Sequence, residues 1–248
     1  MKLFSSEIGH NYSTYSFGYC QYLEREAEDT LAQIYAAGYL PFSGSPDIIG
    51  IAYMARSARI RLEDWAPNSE NRRIFRKFEQ VERQVVPAVD LANDPKMFEF
   101  CLAYFAERHG AGVMPAERLR YVLNSGWVTH IAQYRLEGKV IAYVWLGQDA
   151  EATHFYYSFY DLAYVNLSLG LWLMVDIALA CQAGGRQYLY LGTAYGQKGL
   201  YKTNFDQLEW WDGHDWQEDR EALRARCRLD ESRLLDHTDI WKEEIELF

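Results

Sequence analysis

Apolar and polar residues recur along this chain in two periods, and the switches between them mark out most of its elements. Over residues 24–38 the apolar positions Leu31, Ile34 and Tyr35 fall on one side at helical spacing, which predicts a helix stopped by Gly38. Residues 39–44 read as a turn or loop, and residues 48–54 and 58–62 as strands. Pro67-Asn68-Ser69 ahead of Glu70 predicts a loop and a helix start capped by Ser69. Asp94-Pro95 predicts another start, with Asp94 as cap and Pro95 in the first turn of a helix running to about residue 108. Residues 126–136, 140–146 and 153–160 read as strands, the first two joined as a hairpin through Glu137-Gly138-Lys139. Residues 169–183 give the clearest helix, closed by Gly184-Gly185, and residues 187–191 a short buried strand. From Gln217 onward the pattern is helical and charged. Hairpin strands followed by helix and strand are an α+β order. No internal repeat or low-complexity segment interrupts it.

Composition fits a chain with a sizeable core. Hydrophobic residues make up 49% of the 248 positions, with 19 Tyr and 8 Trp, a load that serves both core filling and an amphipathic cleft. Four cysteines, Cys20, Cys101, Cys181 and Cys227, show no Cys-x-x-Cys pair and read as free thiols of a reducing compartment. No apolar core of signal-peptide length opens the chain, and no stretch of about 18 apolar residues occurs, so a cytoplasmic protein without a membrane span is expected. The net charge of −10 argues against broad nucleic-acid affinity. It is unevenly spread: residues 206–248 carry −8, whereas residues 56–83 carry +3 and include Arg72, Arg73, Arg76 and Lys77.

The candidate chemistry concentrates in residues 156–209. Asn166-Leu-Ser168-Leu-Gly170 stands between a predicted strand and a helix. Free backbone amides at such a start attract anions or a developing oxyanion. Common acyl-CoA enzymes carry Arg/Gln-x-x-Gly-x-Gly/Ala here, and only Gly170 fits that pattern, because Leu167 and Trp172 occupy the other key positions. Lys198 and Lys202, four apart, share a face if the segment is helical, and Tyr201 between them suits stacking or hydroxyl donation. Asp161 ends an aromatic strand, where it either handles an amine or fills a turn. His109 beside Gly110 reads as a base or a helix-end residue. The remaining histidines have no metal-ligand spacing, and no nucleophile elbow or P-loop is present.

Several segments fall in a familiar order. They are Gly38–Gly44, Arg61 to Arg73, and Tyr104-Phe-Ala-Glu-Arg108-His109-Gly-Ala-Gly112-Val-Met114. A further, C-terminal set comprises Asp161, Ser168-Leu-Gly170, Tyr188-Leu-Tyr-Leu-Gly192, Lys198, Tyr201-Lys202, Asn204-Phe205 and Leu208-Glu209. This order resembles the arginyl/leucyl-tRNA–protein transferase family, over most of residues 17–209. The resemblance implies an α+β, GNAT-like acyltransferase fold with a mixed central sheet flanked by helices. Residues 1–84 are expected to form a small N-terminal α+β module. Residues 85–248 are expected to form the catalytic domain with an acidic helical tail. It further implies transfer of an aminoacyl group from tRNA to an acceptor amine on a protein N-terminus, a peptide or a small molecule.

In that scheme Asp161 handles the amine, and Ser168, Gly170 and Tyr201 support the reaction. Tyr190 and Tyr195 line the cleft, and Lys198, Lys202 and Asn204 bind substrate. Arg72, Arg73 and Arg76 face nucleic acid. Family members carry a Cys cluster able to hold a metal or iron–sulfur centre. This chain has Ile51, Met54 and Ser57 at one set of positions and Phe17-Gly-Tyr-Cys20 at another. One thiolate cannot hold such a centre, so no metal or cofactor is expected beyond aminoacyl-tRNA as co-substrate. Pro41-Phe42 also replaces the family's Arg-Arg. Two alternatives stand beside this reading. One is an acyltransferase using acetyl-CoA or acyl-CoA, and the other is a non-catalytic binding or regulatory relative.

Overall fold

The chain begins with two long strands, β1 (Lys2–Asn11) and β2 (Ser16–Glu24), and a short helix, α1 (Leu31–Ala36). Thr30 and Gln33 form a capping box, so the helix starts later than the hydrophobic pattern suggests. Then come β3 (Tyr39–Pro41), in a segment read as loop, β4 (Ile51–Met54) and β5 (Ser57–Arg61). Asn68, not Ser69, caps α2 (Ser69–Phe75): its side-chain oxygen accepts from the Asn71 amide at 3.0 Å. A 3₁₀ turn over Arg76–Phe78 leads to β6 (Glu82–Pro87), α3 (Ala88–Leu91), α4 (Pro95–His109) and α5 (Ala116–Asn124). The hairpin β7 (His130–Leu136) and β8 (Lys139–Gln148) follows, then β9 (Ala152–Tyr160), a 3₁₀ segment Leu162–Leu167, and α6 (Leu169–Ala183). The last elements are β10 (Tyr188–Thr193), α7 (Gly196–Gly199) with a 3₁₀ continuation Leu200–Asn204, β11 (Leu208–Trp211), β12 (Trp216–Gln217) and α8 (Arg220–Leu229). This computed structural model describes residues 1–12, 16–44 and 48–230. The outer part of the expected acidic tail, residues 231–248, lies outside them. No helix among the described residues is long and apolar enough to cross a membrane.

Eight strands form a central mixed sheet in the order β12-β11-β5-β10-β9-β8-β7-β6, and β1-β2-β4-β3 form a smaller one. The small sheet ends at Met54, and β5 enters the large sheet between β10 and β11. Ala58 and Ile60 of β5 are fully buried in the large core, so the division expected near residue 84 does not follow the sheets. The architecture is α+β, a mixed sheet flanked by helices as anticipated. One face packs α2, α6 and α8, and the other packs α3, α4 and α5. In β8 the alternation is legible: Ala142, Val144 and Leu146 face α6, while Tyr143 and Trp145 face α4 and α5. Glu137 and Gly138, at φ 51° and 78°, make the two-residue hairpin turn that leads into it.

Two features of the sheet create an opening. A bulge at Tyr156 shifts the register between β8 and β9, so Phe155 faces α6 while Phe159 faces α4. Beyond the bulge Ser158 and Tyr160 therefore turn toward the side of α6. The second feature is the single parallel pairing, β9 with β10, which runs only through Ala152–His154 and Tyr188–Tyr190. After that β9 continues with β8 alone, and β10, paired with β5, bulges at Leu191. The two strands part, and the start of α6 faces the gap.

Candidate active site

The gap is a cleft of about 550 Å³. Tyr104, Arg108 and His109 reach it from the last turns of α4, and Ser158 and Tyr160 from the end of β9. Ser168, Gly170, Leu171 and Met174 come from the start of α6, and Lys198 and Tyr201 from the segment after β10. The ionisable lining is cationic or phenolic and contains no carboxylate. The cleft is thus locally positive within a chain of net charge −10.

The helix start is built by an unusual turn. Ser168 sits in the left-handed region at φ 68°, ψ 36°, ending the 3₁₀ segment and opening α6. Its side chain makes no cap bond, and its carbonyl accepts from the Leu171 and Trp172 amides at 3.1 and 3.0 Å. The amides of Leu169 and Gly170 precede those bonds, so the helix's own ladder offers them no acceptor. Gly170 lines the cleft, and the Tyr160 ring packs where its side chain would stand.

The phenols are coupled. Tyr104 and Tyr160 rings meet at 5.0 Å, and desolvation, then the neighbouring Tyr160, raises the Tyr104 hydroxyl well above its ordinary value. Desolvation pushes the Tyr201 phenol up to about 12, with Tyr160 adding to it, although the residue as a whole is 40% exposed. His109 moves the other way: burial first, then Arg108 and Lys198, hold it below its ordinary value, so it is neutral at pH 7.

The structure brings together Ser168, Gly170, Lys198 and Tyr201 from the sequence-based set. It sends others elsewhere. Asp161 caps the 3₁₀ segment, accepting from the Ala163 amide at 3.0 Å, and pairs with Lys139 at 3.0 Å. Burial alone would raise its carboxyl, but the Lys139 bond and the Ala163 amide outweigh that and hold it below the ordinary range. Such a group is a poor base, and it lies outside the cleft lining. Tyr190 is 1% exposed, accepts from Arg59 at 3.1 Å and packs against Tyr35 and Trp216. Tyr195 lies in a separate depression, under the Arg56 guanidinium at 4.4 Å. Lys202 points inward, since residues 200–204 are 3₁₀, and three residues per turn align Lys198 with Tyr201 instead. Asn204 is exposed, and its carbonyl accepts from Asn68.

Of the basic set, Arg73 pairs with Glu70, and Arg72 donates to the Pro67 carbonyl. Phe75 and Phe78 stack this segment on Trp172, and Lys77 reaches the Leu167 carbonyl at 3.5 Å. Exposed Arg76 thereby stands on a segment packed against the start of α6. Sequence reading passed over Tyr104, Arg108, Ser158, Tyr160, Leu171 and Met174. Their available signal was the i, i+4 spacing of Tyr104 and Arg108 on one helix face. His109 was visible as a base or a helix end, and it does reach the cleft. At the positions of the family's Cys cluster only Cys20 supplies a thiol, and Cys101, Cys181 and Cys227 are buried elsewhere. These residues do not fit a metal or iron–sulfur centre.

A mixed sheet parted at its parallel pair, with a helix start facing the gap, is a GNAT-like architecture. A family model for the C terminus of arginine-tRNA-protein transferase matches residues 96–212, which hold the whole cleft lining. An aspartate/glutamate leucyltransferase of Alcanivorax borkumensis is 29% identical over 170 residues, covering 66% of this chain and 69% of that protein. One from Phenylobacterium zucineum is 26% identical over 172 residues, covering 64% and 66%. The chain thus spans about two thirds of the length of these relatives. Among solved structures, L-PGS from Bacillus licheniformis aligns at a TM-score of 0.46 and 13% identity, covering 81% of this chain and 69% of that one. FemX aligns at 0.43 and 9%, covering 66% and 59%. Over about two thirds of its length the chain is thus similar to the aspartate/glutamate leucyltransferases, and over residues 96–212 to the C terminus of arginine-tRNA-protein transferase.

Proposed function

We propose that this cleft performs aminoacyl-tRNA-dependent transfer onto an acceptor amine, with an apolar donor such as leucine. One observation carries the reading: an open, carboxylate-free, positive cleft lined together by the start of α6 at Ser168 and Gly170, by His109, and by Lys198 and Tyr201. The amine nitrogen attacks the ester carbonyl that joins the amino acid to the terminal ribose. A C–N bond forms and the C–O bond to ribose breaks. His109 takes the proton from the amine, and the amides of Leu169 and Gly170 support the oxyanion. Tyr201, protonated at neutral pH, returns a proton to the leaving ribose oxygen.

Leu171, Met174 and Tyr160 suit an apolar aminoacyl side chain, and Arg108 with Lys198 disfavours a cationic one. The same two cations suit the tRNA end and an acceptor beginning with an acidic residue, in line with the aspartate/glutamate leucyltransferases that the chain resembles. Arg76 and Lys77 extend the positive track toward the tRNA. No cofactor enters beyond the co-substrate, and aminoacyl-tRNA as donor puts the reaction in the cytoplasm. Against a CoA donor, Trp172 is 2% exposed and packed on Phe75, Phe78 and Tyr134, where a small residue would give pyrophosphate room.

The test is incubation with labelled leucyl-, methionyl-, phenylalanyl- and arginyl-tRNA and peptides of varied N-terminal residue. Label should pass from leucyl-tRNA to peptides beginning with Asp or Glu. Absence of transfer from every aminoacyl-tRNA by folded protein would refute the reading.

A further inference from the structure

Lys202 and His154 close over Gly192 at the point where β9 and β10 part. Lys202 is 7% exposed and the only lysine among the buried described residues, and His154 is 2% exposed. A β-carbon on Gly192 would stand 3.6 Å from His154 Nε2 and 3.9 Å from Lys202 Nζ. Gly192 has φ 78°, so its conformation calls for glycine, with the two side chains at ordinary contact distance from where a β-carbon would stand. The Lys202 ammonium donates to the carbonyl of Thr193, the last residue of β10, which lies beyond the ladder shared with β9.

An ammonium buried this way is unfavourable unless it gains partners. Among the described residues no carboxylate forms an ion pair with it, and desolvation lowers it to about 8. The same burial, with Lys202 adding to it, lowers His154 to about 3 and keeps the imidazole neutral beside the cation. A methionine would fill the space at smaller cost, so packing alone gives no reason for a charge there. The Thr193 carbonyl does. It ties the 3₁₀ segment Leu200–Asn204 to the end of β10. A β-carbon on Gly199 would fall 3.2 Å from the Ala194 backbone in the same fold-back, so the two segments pass close together there. Lys198 and Tyr201, both within the stretch that this tie closes, then face the cleft.

We propose that Lys202 is a positioning residue of the transfer reaction, clamping the end of β10 to the segment that presents Lys198 and Tyr201, and that it does not touch tRNA. The kinetic part rests on the proposed function, and the structural part does not. Lys202→Met and Lys202→Gln are compared with Lys198→Met, each checked for folding by thermal melting. With labelled leucyl-tRNA, Lys202→Met should lower kcat tenfold or more. It should leave KM for tRNA and its salt dependence within twofold of the parent. Lys202→Gln, whose amide can still donate, should recover part of the rate. Tyr201→Phe should add little on top of Lys202→Met, since both act through the same phenol. Lys198→Met should raise KM and flatten the salt dependence.

Two readouts need no activity. Amide hydrogen exchange over residues 194–204 should quicken in Lys202→Met. Reductive methylation of the parent should label Lys198 and spare Lys202. If the parent transfers nothing, the functional reading fails while these two still decide the clamp. Unchanged exchange in Lys202→Met, or raised KM with a flattened salt dependence and full kcat, would overturn the proposal.

Discussion

Gly170 lies against the ring of Tyr160: a β-carbon on Gly170 would fall 3.0 Å from Tyr160 Cε1 and 3.1 Å from its hydroxyl oxygen. The start of α6 and the end of β9 therefore touch with no room for a methyl group. Alanine in a helix is favoured over glycine by about 1 kcal/mol, which offsets the displacement of the ring. Gly170→Ala should therefore melt within a few degrees of the parent. Tyr160 must still give by a few tenths of an ångström, and Tyr104 with it. Since a misplacement of about 1 Å can reduce rate about a hundredfold, a roughly tenfold loss of single-turnover transfer is expected. An unchanged rate would show that the Tyr160 position is not part of the machinery.

The acid limb of the pH profile should belong to His109. Burial, Arg108 and Lys198 all disfavour its charged form, so its folded pKa lies below the ordinary value of about 6.5. The neutral, proton-accepting form thus dominates at pH 7 and persists below the ordinary histidine range. The transfer rate should fall only as pH drops through that lowered pKa. His109→Gln should reduce the rate by about 10²–10⁴-fold and abolish the limb, measured from pH 5 to 8 under single-turnover conditions. A limb that survives the substitution assigns the base elsewhere.

Binding of tRNA should report the cleft's cations through salt. Each phosphate contact contributes about 0.7–0.9 to the slope of log K against log salt. Arg108→Ala, Lys198→Ala and Arg76→Ala should each weaken binding and lower that slope by about one contact. Arg73→Ala should change little, because Arg73 is already paired with Glu70 at 2.7 Å. Titrations at three salt concentrations would separate these outcomes.

These assignments differ from what sequence alone suggests, and the differences have local causes. Elements with a cap or turn written into the chain were legible: Asp94-Pro95 opens α4, Glu137-Gly138 turns the hairpin, and Gly184-Gly185 closes α6. The strand at residues 58–62 was legible as β5, but its place beside β10 and β11, more than a hundred residues away, was not; β6, an exposed edge with little alternation, was not read at all. At the site, backbone chemistry was readable at Ser168 and Gly170. Side-chain direction was not. The turn from α-helix to 3₁₀ after Gly199 sends Lys202 inward, and Lys139 claims Asp161 from across the β8–β9 pair. His109 was ambiguous because its lowered pKa comes first from burial in the folded cleft, then from Arg108 and from Lys198, some ninety positions along the chain.

Ser168 separates backbone strain from side-chain chemistry. At φ 68° a non-glycine residue costs on the order of 1 kcal/mol or more, and its hydroxyl caps nothing although it lines the cleft. Ser168→Gly should relieve the strain and raise the melting temperature, while Ser168→Ala should leave stability nearly unchanged. Both remove the hydroxyl. If the hydroxyl assists the reaction, both variants lose transfer equally, by about tenfold. If the rigid turn is what matters, by aiming the amides of Leu169 and Gly170, Ser168→Ala retains activity. Ser168→Gly alone then loses it, because glycine lets the turn sample other conformations. Melting curves together with single-turnover rates for the two variants distinguish these cases. Full activity in both would remove Ser168 from the site.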